Sequence, residues 1–153
     1  MTKVLIIEDE LIIALHLKNI LKSFGLDVLE ICSNGEDALE SYRVHKPDLL
    51  FVDIDLGIGI TGIEVVEKIK LENEVAAIYL TSHDDDVTYM KVKATNPIAY
   101  LKKPFDEIML RTTIEVAFQQ YKESLLKHKE LEKKNSIKEQ YITELSETNS
   151  HLI

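Results

Sequence analysis

The chain has little cysteine, no long hydrophobic run and a shortage of basic residues, and each deficit excludes something. A single cysteine, Cys32, in 153 residues cannot form an internal disulfide or a cysteine-based zinc site, so nothing asks for an oxidising compartment. Near the start the only apolar run is Val4 to Ile7, and acidic residues follow it at once, so no signal-peptide core and no membrane span is expected. With 18 Lys+Arg against 27 Asp+Glu, the formal net charge is −9. That sign argues against gripping phosphate backbones or anionic lipid, so no direct nucleic-acid or membrane partner is expected. The default expectation is a cytoplasmic protein.

Glycine and proline are also missing, but only from one stretch. Residues 1–120 hold all five glycines and all three prolines, with 12 basic and 21 acidic residues, whereas residues 121–153 have neither and carry 6 of each charge. The first stretch therefore reads as one compact domain with turns, and the second as an uninterrupted helical extension. A composition of 45% hydrophobic and 29% charged residues is close to the globular average, and the length allows one core.

Within residues 1–120, short apolar runs alternate with amphipathic ones, the pattern of an α/β sheet with parallel strands. Val4 to Ile7, Val28 to Ile31, Leu49 to Val52, Ala76 to Leu80 and Ile98 to Leu101 are the strand candidates. Ile13, Leu17, Ile20, Leu21 and Phe24 recur at helical spacing, as do Ala38, Leu39 and Tyr42, then Val65, Val66 and Ile69. Asp84 to Ala94 is a weaker helix, with Val87, Met90 and Ala94 as its few apolar positions. From Asp106 the helical stripe resumes through Leu110, Ile114, Phe118, Tyr121 and Leu125. The expected fold is α/β, a doubly wound (βα)5 parallel sheet with an extended C-terminal helix.

Polar residues fall at the strand ends, where ligands bind in such sheets. The first strand runs into Glu8-Asp9, the third into Asp53, the fourth into Thr81-Ser82, and the fifth is followed by Lys102-Lys103-Pro104. Three converging carboxylates repel one another unless a cation sits among them, and oxygen-only ligands favour a hard ion such as Mg²⁺. Magnesium-dependent phosphate chemistry is the natural expectation.

At Glu8-Asp9, Asp53, Thr81, Tyr100 and Lys103-Pro104, in that order, residues 3–120 resemble the receiver domain of bacterial-type two-component response regulators, the CheY-like family. The resemblance implies the flavodoxin-like strand order 2-1-3-4-5. It implies that Asp53 is the phosphoacceptor for a phosphoryl group from a sensor histidine kinase or phosphotransfer protein. Mg²⁺ would be held by Glu8, Asp9, Asp53 and the backbone carbonyl of Asp55, with Glu8 acting mainly through water. Thr81 and Lys103 would contact phosphoryl oxygens, and a cis bond would join Lys103 to Pro104. Thr81 and Tyr100 would form the switch: Thr81 moves toward the phosphoryl group and the Tyr100 ring turns into the vacated space. Such a protein is not a turnover enzyme but catalyses its own phosphoryl transfer and dephosphorylation.

The loop Ile54 to Gly62 departs from the family by lacking a proline, and Asp55 and His83 stand where side chains help or hinder the hydrolytic water. Simpler readings exist for each residue. Glu8-Asp9 can cap a helix, Thr81-Ser82 can end a strand, and Tyr100 can be a plain strand aromatic. Asp84-Asp85-Asp86 reads as a helix-start cluster, Cys32 as a packed strand residue, and Gly57, Gly59 and Gly62 as turn residues.

In the extension, Leu131, Ile142, Leu145 and Leu152 share a partial heptad interrupted by Asn135, Lys138 and Asn149. A homodimeric parallel coiled coil is the expectation, with the face of the fourth helix, fifth strand and fifth helix as an additional dimer surface. A solvated single helix is the plain alternative. The extension is also expected to serve as a linker to an output module beyond residue 153. Two rival functions fit parts of the sequence. Phe51-Val52-Asp53-Ile54-Asp55 is similar to the Asp-x-Asp start of haloacid-dehalogenase-like phosphatases, although that motif normally lies on the first strand. A non-phosphorylated dimerising scaffold would keep the fold without its chemistry.

Overall fold

A computed structural model describes the backbone of residues 1–151 and the side chains of residues 1–146. Five strands, β1 (Lys3–Ile7), β2 (Asp27–Cys32), β3 (Leu49–Asp53), β4 (Ala76–Thr81) and β5 (Ala99–Lys102), alternate with α1 (Leu11–Ser23), α2 (Gly35–His45), α3 (Gly62–Glu72), α4 (Asp86–Ala94) and α5 (Glu107–His151). All pairings are parallel and the order is β2-β1-β3-β4-β5. The expected fold and strand order are both present, and every apolar run lies on its strand or within a residue of it.

Strands β3 and β4 are buried along their whole length, and β1 from Val4 onward. A strand covered by helices on both faces must be apolar at successive positions, which is why these segments read as continuous runs rather than alternating ones. Each Leu, Ile, Val or Phe taken out of water there contributes about 1.5–3 kcal/mol, so these strands carry much of the stability.

Local chemistry sets the helix ends. Asn34 Oδ1 accepts from the Asp37 N–H at 2.8 Å to start α2, and Thr61 Oγ1 accepts from the Glu64 N–H at 3.2 Å to start α3. Helix α2 stops at Lys46, whose left-handed backbone (φ 45°) lets its N–H donate to the Tyr42 carbonyl at 2.8 Å. Asp85 caps α4, so the Asp84-Asp85-Asp86 cluster is a helix start. Val87 and Met90 are exposed, and the buried residue of α4 is Val92.

The chain divides into two compact units, Met1–Ala117 and Phe118–Ile153. In the second, α5 exposes Leu125, Leu126, Leu131, Tyr141, Ile142 and Leu145. At 45 residues α5 has a length of about 68 Å, as expected at 1.5 Å per residue. Leu152 lies outside the described residues, as does the side chain of Asn149. Among the described residues, no helix is long and apolar enough to cross a membrane.

Candidate functional site

The strand order reverses between β1 and β3, so their connections leave on opposite faces of the sheet and open a crevice at the carboxyl ends. Glu8 follows β1 directly, and its N–H donates to the Cys32 carbonyl at 2.9 Å, extending the ladder by one residue. Asp53 closes β3 and Thr81 closes β4. All three are buried, with 1%, 5% and 1% exposure. Polar groups so deep must be partnered.

The partner of the two carboxylates is Lys103, whose ammonium lies 2.7 Å from Glu8 Oε2 and 3.2 Å from Asp53 Oδ2. Lys103 stands next to Pro104 across a cis peptide bond, as the resemblance implies. The remaining carboxylate oxygens take backbone donors: Asp53 Oδ1 accepts from the Asp55 N–H at 3.2 Å and Glu8 Oε1 from the Glu10 N–H at 3.1 Å. Gly62 brings α3 against the acceptor strand so tightly that a Cβ there would lie 2.0 Å from the Asp53 carbonyl oxygen. This close approach, rather than turn conformation, is what requires glycine at position 62.

Burial, together with the neighbouring Asp53 carboxyl, pushes the Glu8 carboxyl up to about 8. Burial also raises Asp53, while Glu8 and Lys103 pull it back. For Lys103, burial works against the charged form, but Glu8 and Asp53 outweigh it and hold the ammonium above its ordinary range. The three groups thus behave as one electrostatically coupled cluster.

Glu8, Asp9 and Glu10 each offer a carboxylate oxygen, all within 4.8 Å of one another. Glu8 Oε2 is buried and accepts no hydrogen bond, its contact to Lys103 being an ion pair. An oxygen-only set of carboxylate donors fits a hard divalent cation. Glu10 was missed by the sequence reading, although its place directly after Glu8-Asp9 was a usable signal.

Both expected switch residues are tied to His83. The His83 N–H donates to Thr81 Oγ1 at 2.9 Å, and the Tyr100 hydroxyl donates to the His83 carbonyl at 3.0 Å. The Tyr100 ring is half-buried and meets Tyr89 edge-on, with centroids 6.2 Å apart. The His83 imidazole contacts Asp55 Oδ2 through Nε2 and lies 3.5 Å from Asp85 Oδ1 through Nδ1. The contact between His83 and Asp55 is not visible in a linear pattern, because it joins loops 28 positions apart.

A doubly wound parallel sheet with a buried carboxylate, an acid cluster and a lysine at its switch point defines an α/β domain of the flavodoxin-like class. Residues 4–115 match the model of the response regulator receiver domain, and the chain belongs to that family. It is 33% identical over 117 residues to the sensory transduction protein LytT of Bacillus subtilis, covering 74% of this chain and 47% of LytT. It spans about half the length of the curated relatives it matches. Among solved structures, the signal receiver domain of a modulated diguanylate cyclase from Desulfovibrio desulfuricans is 34% identical. That match has a TM-score of 0.74 and covers 81% of this chain and 98% of that one. A fusion carrying the trimeric coiled coil of yeast Spc42 is 30% identical with a TM-score of 0.77, covering 92% of this chain and 96% of the other. Receiver domains interact with histidine kinases or phosphotransfer proteins and bind Mg²⁺ at an acidic pocket.

Proposed function

We propose that this chain is a phosphorylation-dependent switch whose acceptor is Asp53. The observation that carries the reading is the Lys103 ammonium 3.2 Å from the buried Asp53 carboxylate. An Asp53 oxygen attacks the phosphorus of a partner's phosphohistidine, the P–N bond breaks, and the partner's imidazole leaves with the electron pair. Charge builds on the three equatorial oxygens of the transferring group, and Lys103 offsets it while the Thr81 hydroxyl donates to one of them. Glu8, Asp9, Asp53 and the Asp55 carbonyl would hold Mg²⁺, which supplies further positive charge when bound. Attack of water on the same phosphorus returns Asp53 to its carboxylate and resets the switch.

The donor docks as a protein. Beside the acceptor, an apolar groove of about 410 Å³ is lined by Ile12, Ile13, His16, Pro104 and Phe105. Leu11, Ile12 and Leu15 on α1 are exposed, which suits the apolar face of a helical partner.

A second copy of the chain pairs with the C-terminal helix. Leu131, Ile142 and Leu145 occupy a heptad seam with Asn135 and Lys138, and they are exposed in a single chain. In a parallel pair, Lys127 faces Glu132 of the second copy and Lys134 faces its Glu139, so both flanking contacts attract.

Intact-mass measurement after incubation with acetyl phosphate tests the acceptor. The expected result is a Mg²⁺-dependent gain of one phosphoryl group that Asp53→Ala abolishes. No gain in the folded wild type would overturn phosphorylation by small-molecule donors and favour the scaffold.

A further inference from the structure

Helix α4 is held firmly at one end and loosely at the other. Between its ends only Val92 is buried. At the C-terminal end, the Tyr79 hydroxyl and Thr95 Oγ1 form a buried hydrogen bond of 2.8 Å, and Thr95 Oγ1 donates to the Val92 carbonyl at 2.7 Å. Lys70 reaches across from α3 and donates to the carbonyls of Thr95 at 2.7 Å and Asn96 at 2.9 Å. A cation on the final carbonyls of a helix also complements its dipole. The Tyr79–Thr95 and Thr95–Val92 bonds are buried, and the Lys70 bond to Thr95 is partly so, which makes this end the better sheltered of the two.

At the N-terminal end the cap is Asp85, whose Oδ2 accepts from the Thr88 N–H at 2.9 Å and the Thr88 hydroxyl at 2.8 Å. The His83 imidazole, through its contacts with Asp85 and Asp55, links this cap to the loop after β3. The imidazole and both carboxylates are more than a third exposed, so this is the weak class of ion pair, readily exchanged for water. Both ring nitrogens face carboxylates. That arrangement suits a bridge and leaves no ring nitrogen directed at the acceptor as a base.

We infer that His83 is a positioning residue, a latch joining the α4 cap at Asp85 to the acceptor loop at Asp55, and that α4 pivots about Thr95 when the latch opens. How it opens rests on Asp53 being the acceptor. A phosphoryl group that recruits the Thr81 hydroxyl competes with the His83 N–H for the same oxygen. Its negative charge also stands next to Asp55, whose N–H is bonded to the acceptor carboxylate. The two effects loosen the backbone and the ring of His83 together, and the Tyr100 hydroxyl loses its fixed carbonyl. The firm end stays in place, so the displacement grows along α4 toward Asp86.

Residue-resolved amide hydrogen exchange on the unphosphorylated, metal-free full chain tests the latch without involving phosphorylation. His83→Ala removes the ring but leaves the backbone contacts to Thr81 and Tyr100 available. Exchange at Thr88, Tyr89 and Met90 is expected to rise roughly three- to five-fold, while amides from Lys93 to Asn96 and throughout β4 change less than about 1.5-fold. Asp55→Ala is expected to reproduce this, and the double variant to add nothing, since both changes break one bridge. Lys70→Met is expected to give the mirror image, with faster exchange confined to the C-terminal end. Unchanged exchange at Thr88 to Met90 in His83→Ala overturns the latch. A uniform rise along α4 in either variant overturns the pivot. Failure of acetyl phosphate to modify Asp53, with the exchange split intact, overturns phosphorylation by small-molecule donors instead and leaves the latch standing as a restraint on the resting state.

Discussion

Lys103 lies closer to Glu8, at 2.7 Å, than to Asp53, at 3.2 Å. The lysine beside Asp53 is therefore held at least as closely by Glu8, which acts as a support for Lys103.

Lys103→Met removes the ammonium shared by two buried carboxylates and leaves them facing each other. The expected loss is about 3 kcal/mol of unfolding free energy, measured by urea titration, because an orphaned partner in a buried ion pair is costly. A loss below about 1 kcal/mol would show that protonation of Glu8 relieves the strain unaided.

Gly62→Ala places a methyl 2.0 Å from the Asp53 carbonyl oxygen and 2.8 Å from Val52 Cγ1, so backbone must shift at the acceptor itself. A loss of about 2–3 kcal/mol and slower phosphoryl uptake from acetyl phosphate are expected. Gly25→Ala is the control. It meets no atom within 4 Å, but φ is +82°, so only conformational strain of about 1 kcal/mol is expected.

Lys46→Gly should stabilise the protein by about 0.5–1 kcal/mol, read from the thermal or urea midpoint. Lys46 ends α2 in the left-handed region at φ 45°, which glycine enters without a Cβ penalty.

Burial pushes the Cys32 thiol up to about 11. At pH 8 it should resist a disulfide reagent until the protein unfolds, and then react at once. Between about pH 9 and 11 the unfolded chain ionises first, so stability should fall across that window as pH rises. Rapid labelling of the folded protein at pH 8 would contradict the buried placement.

Ile142→Lys puts a charge into the proposed seam of the C-terminal helix. Sedimentation equilibrium should show the dimer of the wild type weakened at least ten-fold in the variant, with the domain still folded. A wild-type monomer would favour a solvated helix, and a trimer would correct the number of strands.

The fold was legible because the central strands are covered on both faces. Val4 to Ile7, Leu49 to Val52 and Ala76 to Leu80 had to be continuous apolar runs, and the acids and hydroxyl at their ends then stood out. Less was legible where contacts join distant loops. That Glu8 pairs with Lys103, that Lys70 caps α4 from another helix and that His83 spans Asp55 and Asp85 follow from three-dimensional proximity, which no spacing rule encodes. Helix α4 gave only a weak signal because one buried side chain, Val92, produces no periodic pattern.

That single anchor has an evolutionary consequence. Seven of the nine residues of α4 are exposed and one is half-buried, so almost any of them can be replaced without disturbing the core. Selection can redraw this helix to suit a new recipient of the signal, while the acceptor chemistry and the fold beneath it stay as they are.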